Sequence, residues 1–147
     1  MRNINQVYPK DSSICNCINI RRASRAVTQF YDESLKPSGL SIAQMGLLRH
    51  IEIAQKVTIS DLAKMLRIDR TTLNRNMKPL DDAGLLVIKT GEDSRTRQVS
   101  LTDEGKVAVA ASWKLWREAQ ASLKEYLGKD DLDKLTQLLA KLEAIVP

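Results

Sequence analysis

Residues 60–86 have the sequence SDLAKMLRIDRTTLNRNMKPLDDAGLL, which holds two short amphipathic stretches separated by a tight turn. The first stretch predicts a helix that ends near Leu66. Asp69 is one of the residue types that cap a helix N-terminus, and it predicts a second helix directly after the turn. Gly84 predicts the end of that helix, because glycine readily takes the left-handed backbone conformation found there. This stretch therefore predicts a helix-turn-helix.

The residues after this helix-turn-helix predict a β-hairpin. Leu85–Thr90 and Arg97–Leu101 have the composition of β-strands, and the polar sequence GEDSR at 91–95 lies between them. A hairpin that directly follows a helix-turn-helix forms the wing of a winged helix. We therefore expect residues 41–101 to form a winged helix-turn-helix core.

A helix is expected within the start of this core, and another before it. Ser41 and Gln44 have the spacing of a capping box, which predicts a helix that precedes the helix-turn-helix. Segment 12–36 predicts an N-terminal helix, with Ser12 or Ser13 as its cap, because its apolar residues recur at three- and four-residue steps.

Segment 102–145 predicts two further helices, the first of them long. It is expected to run from Thr102 to about Leu127, which is roughly 39 Å at ~1.5 Å per residue and longer than one small domain requires. Its apolar side chains cover more than one face, so we expect a second chain to bury part of it. The predicted fold is a single domain over residues 1–147: mainly α with a small β-hairpin wing, a winged helix-turn-helix with N- and C-terminal dimerisation helices.

Composition and charge favour a polyanionic partner. The chain has 23 Lys and Arg against 18 Asp and Glu, a net charge of +5 and a pI near 9.3. It shows no signal-peptide pattern and no apolar run approaching the ~20 residues that cross a bilayer. We therefore expect a cytoplasmic protein with no membrane partner.

The second helix of the helix-turn-helix has two different faces. At about 100° per residue, Leu73, Met77 and Leu80 form a narrow apolar stripe that is expected to face the core. Its first two turns hold no Glu or Lys, the usual residues of a solvated face, which is the alternative interpretation. Hydroxyl, amide and guanidinium groups instead suit base edges and phosphates of double-stranded DNA. The candidate DNA-binding residues of this helix are Arg70, Thr71, Thr72, Asn74, Arg75 and Lys78.

The hairpin offers a second set of candidate DNA contacts. Arg95 at its tip and Arg97 on its outgoing strand suit a narrow minor groove or the flanking phosphates. Asp93 is predicted to hold the Arg95 guanidinium through a bidentate pair. The alternative is a solvent-exposed hairpin with one weak ion pair.

Over residues 13–145 the sequence resembles the MarR family of bacterial winged-helix regulators. The resemblance rests on Asp69-Arg70-Thr71-Thr72-Leu73-Asn74-Arg75, and on Asp93-Ser94-Arg95 followed by Leu101-Thr102 and Gly105. It implies a homodimer on double-stranded DNA, with the first helix and the last two helices forming the dimer base. It also implies transcriptional regulation, usually repression, through a pseudo-palindromic operator.

One branch of this family senses organic hydroperoxides through a cysteine near the start of the first helix, and that cysteine matches Cys17. Tyr31 matches one tyrosine that surrounds the reactive sulfur in that branch, whereas Arg21 and Ile42 replace two others. Thiol-based peroxide sensing through Cys17 is therefore one hypothesis. The alternative is that Cys15 and Cys17 are small apolar residues filling space on a helix.

Many members of the family bind small aromatic acids in the crevice between the dimer base and the winged helix. By this resemblance, Arg21, Arg25, Tyr31, Trp113 and Trp116 are candidates to line a site for a small aromatic or phenolic ligand. Burial in a dimer interface is an equally good explanation for the two tryptophans.

Other functional classes receive less support. His50 is the one histidine, and the sequence shows no nucleophile–base–acid set, phosphate-binding glycine loop or metal cluster. We therefore predict no catalytic residue, metal site or cofactor. A non-specific DNA-compacting protein is the main alternative, although its surface would be richer in lysine, and a winged helix that binds protein is another.

Overall fold

The computed structural model describes Ile4, residues 9–93 and residues 95–147, so Ser94 of the predicted wing lies outside the described residues. In chain order the elements are α1 (Asn16–Leu35), a 3-10 helix (Lys36–Ser38), α2 (Ile42–Ala54), β1 (Val57–Thr58), α3 (Ile59–Leu66), α4 (Arg70–Asp82), β2 (Leu86–Thr90), β3 (Arg97–Leu101), α5 (Asp103–Leu127) and α6 (Lys129–Glu143). This order confirms the predicted fold class, a mainly α winged helix-turn-helix with additional helices at both ends.

Helix α1 begins later than the sequence pattern predicts. Cys15 precedes it with extended backbone and provides no side-chain cap, so neither Ser12 nor Ser13 is the cap. Ser13 instead bonds to Asn19: its N–H donates to Asn19 Oδ1 (2.8 Å), and its carbonyl accepts from Asn19 Nδ2 (2.9 Å). The Asn19 side chain thus fixes the chain ahead of the helix, and the expected start at residue 12 is wrong.

The predicted start of α2 is confirmed. Ser41 Oγ accepts from the Gln44 N–H (3.1 Å), and Gln44 Oε1 accepts from the Ser41 N–H (3.0 Å), which completes the capping box. Helix α3 begins in a related way, because Thr58 Oγ1 accepts from the Asp61 N–H (3.1 Å). Both caps satisfy backbone donors that a helix start leaves unpaired.

The sheet contains three antiparallel strands in the order β1-β3-β2. The predicted hairpin is confirmed and pairs all five residues of β2 with all five of β3. Strand β1 was not predicted, because two residues carry no periodicity and Val57 pairs with the distant Val99. Because β1 leads directly into α3 and pairs with β3 of the wing, this sheet connects the wing to the helix-turn-helix.

The hydrophobic core lies between α2, the helix-turn-helix and the sheet. Its most buried side chains are Leu35, Leu48, Ile51, Leu62, Leu73, Met77, Leu80, Leu86, Val99 and Val109. The apolar stripe predicted for α4 is part of this core and is therefore confirmed. Helix α1 packs on α5, and the two helices contribute Leu35 and Val109 to the same core. Farther along their contact, the buried Tyr31 donates a hydrogen bond from its hydroxyl to Gln120 Oε1.

The terminal helices leave apolar side chains exposed in the single chain. Helix α6 has no buried residue, and its leucine stripe is 39–50% exposed at Leu135, Leu138, Leu139 and Leu142. On α1, the side chains of Ile18, Ile20 and Val27 are exposed by 41–44%. None of the described helices combines the length and the apolar composition needed to cross a membrane.

Candidate nucleic-acid interface

The turn between α3 and α4 is short and held by backbone hydrogen bonds. Arg67 ends α3 in the left-handed conformation at φ 54° and ψ 45°. The next N–H, that of Ile68, donates to the Ala63 carbonyl (3.1 Å). Asp69 follows with extended backbone and begins α4. No flexible linker therefore separates the two helices.

Asp69 is the cap of α4, as predicted. One carboxylate oxygen accepts from the Thr72 N–H (2.7 Å), and the other accepts from the Thr72 hydroxyl (3.0 Å). These hydrogen bonds, with that from the Thr72 backbone first, hold the pKa of the Asp69 carboxyl below its usual value. The carboxylate also lies at the positive end of the helix dipole, which favours its charged form.

The exposed side of α4 carries most of the predicted DNA-binding groups. It presents Arg70, Thr71, Asn74, Arg75 and Lys78 to solvent, opposite the buried stripe. Thr72 differs from these residues, because it is half-buried and its hydroxyl proton is already donated to Asp69. Its geometry suits the positioning of the helix start better than contact with a base.

Two features mark the later turns of α4. Lys78 Nζ lies 3.4 Å from Asp82 Oδ2, an exposed i,i+4 pair of the kind that contributes little to stability. Pro79 is exposed and lies inside the helix, which nevertheless continues to Asp82. Proline has no N–H, so it removes a helical partner from the Arg75 carbonyl. This change lies beyond the turns that carry Thr71 and Asn74.

Asp93 of the wing accepts two hydrogen bonds from backbone N–H groups. Asp93 Oδ1 accepts from the Arg95 N–H (3.0 Å), and the Asp93 carbonyl accepts from the Thr96 N–H (2.9 Å). No ion pair joins the Asp93 and Arg95 side chains in the described part of the wing, so the predicted bidentate pair is wrong there, and Asp93 Oδ1 accepts from the Arg95 backbone instead. The side chains of Arg95 and Arg97 are both exposed.

The base of the wing is locked to the start of α5 by Thr102 and Gly105. Thr102 Oγ1 donates to the Gly84 carbonyl (2.6 Å) and accepts from the Gly105 N–H (3.0 Å), so it joins the end of the helix-turn-helix to the α5 cap. A Cβ at Gly105 would lie 2.0 Å from the Leu85 carbonyl oxygen. Only glycine fits this approach, which gives a physical reason for the Leu-Thr and Gly spacing noted in the sequence.

The candidate ligand and redox residues are not gathered into one cavity of the single chain. Arg21 and Arg25 line a cavity of about 220 Å³ on α1 together with Ile18. Trp113 and Trp116 pack edge to face on α5, 5.0 Å between ring centroids, against the core. Tyr31 is buried between α1 and α5.

The two cysteines are free and exposed at the start of α1, so they do not fill space inside the chain. Cys15 has extended backbone outside the helix, whereas Cys17 lies in its first turn. Cys17 and Tyr31 are separated by roughly 21 Å along α1 at ~1.5 Å per residue. A site that uses both residues would require a second chain.

No group of three or more metal-ligating side chains lies together among the described residues. His50 Nδ1 lies 2.7 Å from the Gly46 carbonyl one helical turn earlier. One ring nitrogen of His50 is therefore bonded within its own helix.

Two exposed cations at the end of α3 were not among the predicted contacts. Lys64 and Arg67 lie on the helix that, in a helix-turn-helix, crosses the DNA backbone. Their charge is a sequence signal that could have included them. The partner of Arg67 is Glu143, 76 residues away on α6 (2.8 Å), and no local pattern indicates that contact.

The comparisons with known proteins agree with this geometry. The family model described as the MarR family matches residues 38–96. The transcriptional regulator MosR from M. tuberculosis, solved in complex with DNA, is 35% identical to this chain over 87% of it and 92% of MosR, with a TM-score of 0.79. A mutant of MarR from E. coli, solved in complex with operator DNA, is 25% identical over 89% of this chain and 99% of MarR, with a TM-score of 0.78. The MepR–DNA complex from S. aureus, 20% identical over 91% of this chain and 100% of MepR, shares the fold with a TM-score of 0.78.

Proposed function

Because this chain belongs to the MarR family of DNA-binding transcriptional regulators, which are not enzymes, we propose that it binds a pseudo-palindromic operator as a homodimer and represses transcription in the cytoplasm. The observation that carries the proposal is the polar, exposed face of α4, which follows a capped start and lies opposite a fully buried stripe. A helix whose start is capped and whose apolar stripe is buried presents its polar side chains in a defined arrangement, which sequence-specific contact requires.

The chemistry of each side chain gives it a role in this proposal. Thr71, Asn74 and Arg75 contact base edges in the major groove, because amide and guanidinium groups match the donor and acceptor patterns of bases. Arg70 and Lys78 bind phosphates, and Thr72 positions the helix start through Asp69. In the wing, Arg95 and Arg97 bind the minor groove or its phosphates, and Asp93 shapes the tip.

The exposed apolar side chains of α1 and α6 support the homodimer. The α6 leucines follow one another at three- and four-residue steps, and an exposed apolar stripe of this kind is uncommon on a monomer, so a second copy would cover it. Helix α5 extends over 25 residues and connects the winged helix to this surface. Helices α1, α5 and α6 are therefore the proposed dimerisation elements. A two-fold dimer places its recognition helices about 34 Å apart, one turn of DNA.

Electrophoretic mobility shifts test the proposed specificity. The protein is titrated against the DNA upstream of its own gene and against random duplex of equal length, at several salt concentrations. We expect the upstream DNA to bind at least about a thousandfold more tightly at physiological salt. Equal affinity for both duplexes would instead support the DNA-compacting alternative, and binding to neither would support a winged helix that binds protein.

The exposed Cys17 thiol favours an oxidant as one signal that releases DNA. A hydroperoxide ROOH would transfer one oxygen to the sulfur, giving the sulfenic acid, while its O–O bond breaks and ROH leaves with the thiol proton. We expect peroxide to release operator DNA from the wild type and from Cys15→Ser, but not from Cys17→Ser. If Cys17→Ser is released equally, Cys17 is not the sensor.

A small aromatic or phenolic ligand is the other candidate signal. Arg21 and Arg25 would bind its acidic group, and Ile18, which is among the exposed apolar residues of α1, lines the same cavity. Tyr31, Trp113 and Trp116 would contribute aromatic surface only if the dimer brought them close. Salicylate is a suitable probe, and Arg25→Ala should lower its effect on DNA binding while leaving the ligand-free affinity unchanged.

A further inference from the structure

One ion pair joins the helix-turn-helix to the C-terminal helix. Arg67 Nη1 lies 2.8 Å from Glu143 Oε1, although the two residues are 76 positions apart. Among the described residues, no other hydrogen bond or ion pair given by the structure connects α6 to the winged-helix core. The carboxylate also raises the pKa of the Arg67 guanidinium, mainly through their hydrogen bond.

The remainder of α6 is held weakly within its own chain. The helix has no buried residue, and it joins α5 through Gly128, whose backbone at φ 83° and ψ 155° is accessible mainly to glycine. Helix α6 has 15 residues and is therefore roughly 22 Å long at ~1.5 Å per residue. Glu143 is the last residue of α6, at the end opposite Gly128.

Arg67, the other residue of the ion pair, lies in the turn of the helix-turn-helix. It ends α3 in the left-handed conformation, only two residues before the Asp69 cap of α4. Because the turn is held by backbone hydrogen bonds, a displacement of Arg67 displaces the start of α4 as well. The ion pair therefore connects the helix that bears the apolar dimer surface to the helix that contacts DNA.

We propose that Arg67 and Glu143 are positioning residues for DNA binding, whose ion pair fixes each winged-helix core relative to α6 and so sets the distance between the two recognition helices. This inference rests on the proposed dimeric function. Operator half-sites have a fixed separation, so a dimer that already holds its recognition helices at that separation loses less freedom on binding. A pair whose side chains are 73% and 54% exposed adds little to folding stability, so its main effect is on geometry.

The direction in which Glu143→Gln changes DNA affinity distinguishes a positioning role from a purely electrostatic one. Glu143→Gln removes a negative charge from a chain of net charge +5, and charge alone would then strengthen DNA binding. Loss of the ion pair predicts weaker binding to a two-half-site operator. Glu125→Gln is the matched control, because this exposed acid near the end of α5 has no ion-pair partner among the described residues.

The probe is the duplex that the wild-type protein selects from a random-sequence pool, used intact, with its half-site spacing changed by one base pair, and as an isolated half-site. We expect Glu143→Gln to bind the intact duplex about two- to fivefold more weakly and to discriminate less between the two spacings. Its affinity for the half-site and its melting temperature should match those of Glu125→Gln. The charge-swapped protein Arg67→Glu/Glu143→Arg should recover the spacing discrimination.

Three results would overturn the inference. The first is unchanged spacing discrimination in Glu143→Gln while the wild type binds its operator specifically. The second is a lower melting temperature together with loss of half-site binding, which would show a structural role. The third is a wild type that selects no sequence at all, in which case the proposed function fails and the inference fails with it.

Discussion

At the scale of single residues, the start of α4 depends on one carboxylate. Asp69 accepts two hydrogen bonds from Thr72, and those bonds lower the pKa of its carboxyl. A pKa lowered in the folded state contributes stability that is complete above the unfolded value, near ~3.9, and is lost as the pH falls through the folded value. The cap should therefore weaken only in acid.

We expect Asp69→Asn to reduce the slope of melting temperature against pH below about pH 4, because an amide caps a helix without titrating. Thermal melts from pH 7 to pH 2.5 measure this slope. Asp81→Asn, an exposed carboxylate near the other end of α4, is the control and should keep the wild-type slope. Identical slopes in all three proteins would show that the Asp69 cap does not contribute.

Arg75 is the residue for which we expect the largest loss of sequence preference. Arg75→Ala should reduce the free energy of binding to the cognate duplex by about 1–3 kcal/mol and change the free energy of binding to random DNA little, because a base contact distinguishes sequences. Lys78→Ala should weaken binding to the cognate and the random duplex by similar factors, since a phosphate contact is independent of sequence. Fluorescence anisotropy gives the dissociation constant of each variant for the cognate and the random duplex. An unchanged preference for the cognate duplex in Arg75→Ala would assign base contact to other residues.

The sequence predicted which residue types occupy the exposed face of α4 but not what each side chain bonds to. Asp69 was predictable as a cap because its signal is local. The hydrogen bond from the Thr72 hydroxyl to Asp69 and the use of Asp93 on the Arg95 backbone depend on rotamers and turn geometry. Arg67–Glu143 was beyond prediction, because only the tertiary fold brings its two residues together.

At the scale of elements, helix and hairpin bounds were predictable where a cap or glycine marks them. Ser41, Asp69 and Thr102 begin helices as expected. The start of α1 was wrong, because Asn19 organises the preceding residues and serine is not the cap. Strand β1 was missed because its stability comes from pairing with β3.

The junction between the wing and α5 should be intolerant of any side chain at Gly105. Gly105→Ala places a Cβ against the Leu85 carbonyl, so β2 or α5 must shift, and we expect a loss of about 1–3 kcal/mol of unfolding free energy. Urea denaturation measures it. The control is Gly46→Ala in α2, where the added Cβ would meet no atom within 4 Å apart from its chain neighbours and its own helix backbone, and a gain of about 0.5–1 kcal/mol is expected. Equal stability of Gly105→Ala and wild type would contradict the close approach.

At the scale of the whole molecule, the exposed leucine stripe of α6 implies a second chain. Leu138→Glu would place a charge in the proposed interface, and we expect the dimer dissociation constant to rise on the order of tenfold or more. Sedimentation equilibrium measures this constant. Ile53→Glu is the control, because Ile53 is 62% exposed on α2, outside the proposed interface. A Leu138→Glu protein that dimerises like Ile53→Glu would place the interface elsewhere.

Specific DNA binding by a two-fold dimer is tested by the sequence motif that the wild-type protein enriches from a random pool of DNA duplexes. Two copies of α4 related by a two-fold axis predict an inverted repeat, with half-site centres about 10 base pairs apart. Enrichment of such a repeat would confirm specific binding by a symmetric dimer. A pool that remains without a common motif after repeated rounds, while still binding the protein, would contradict it.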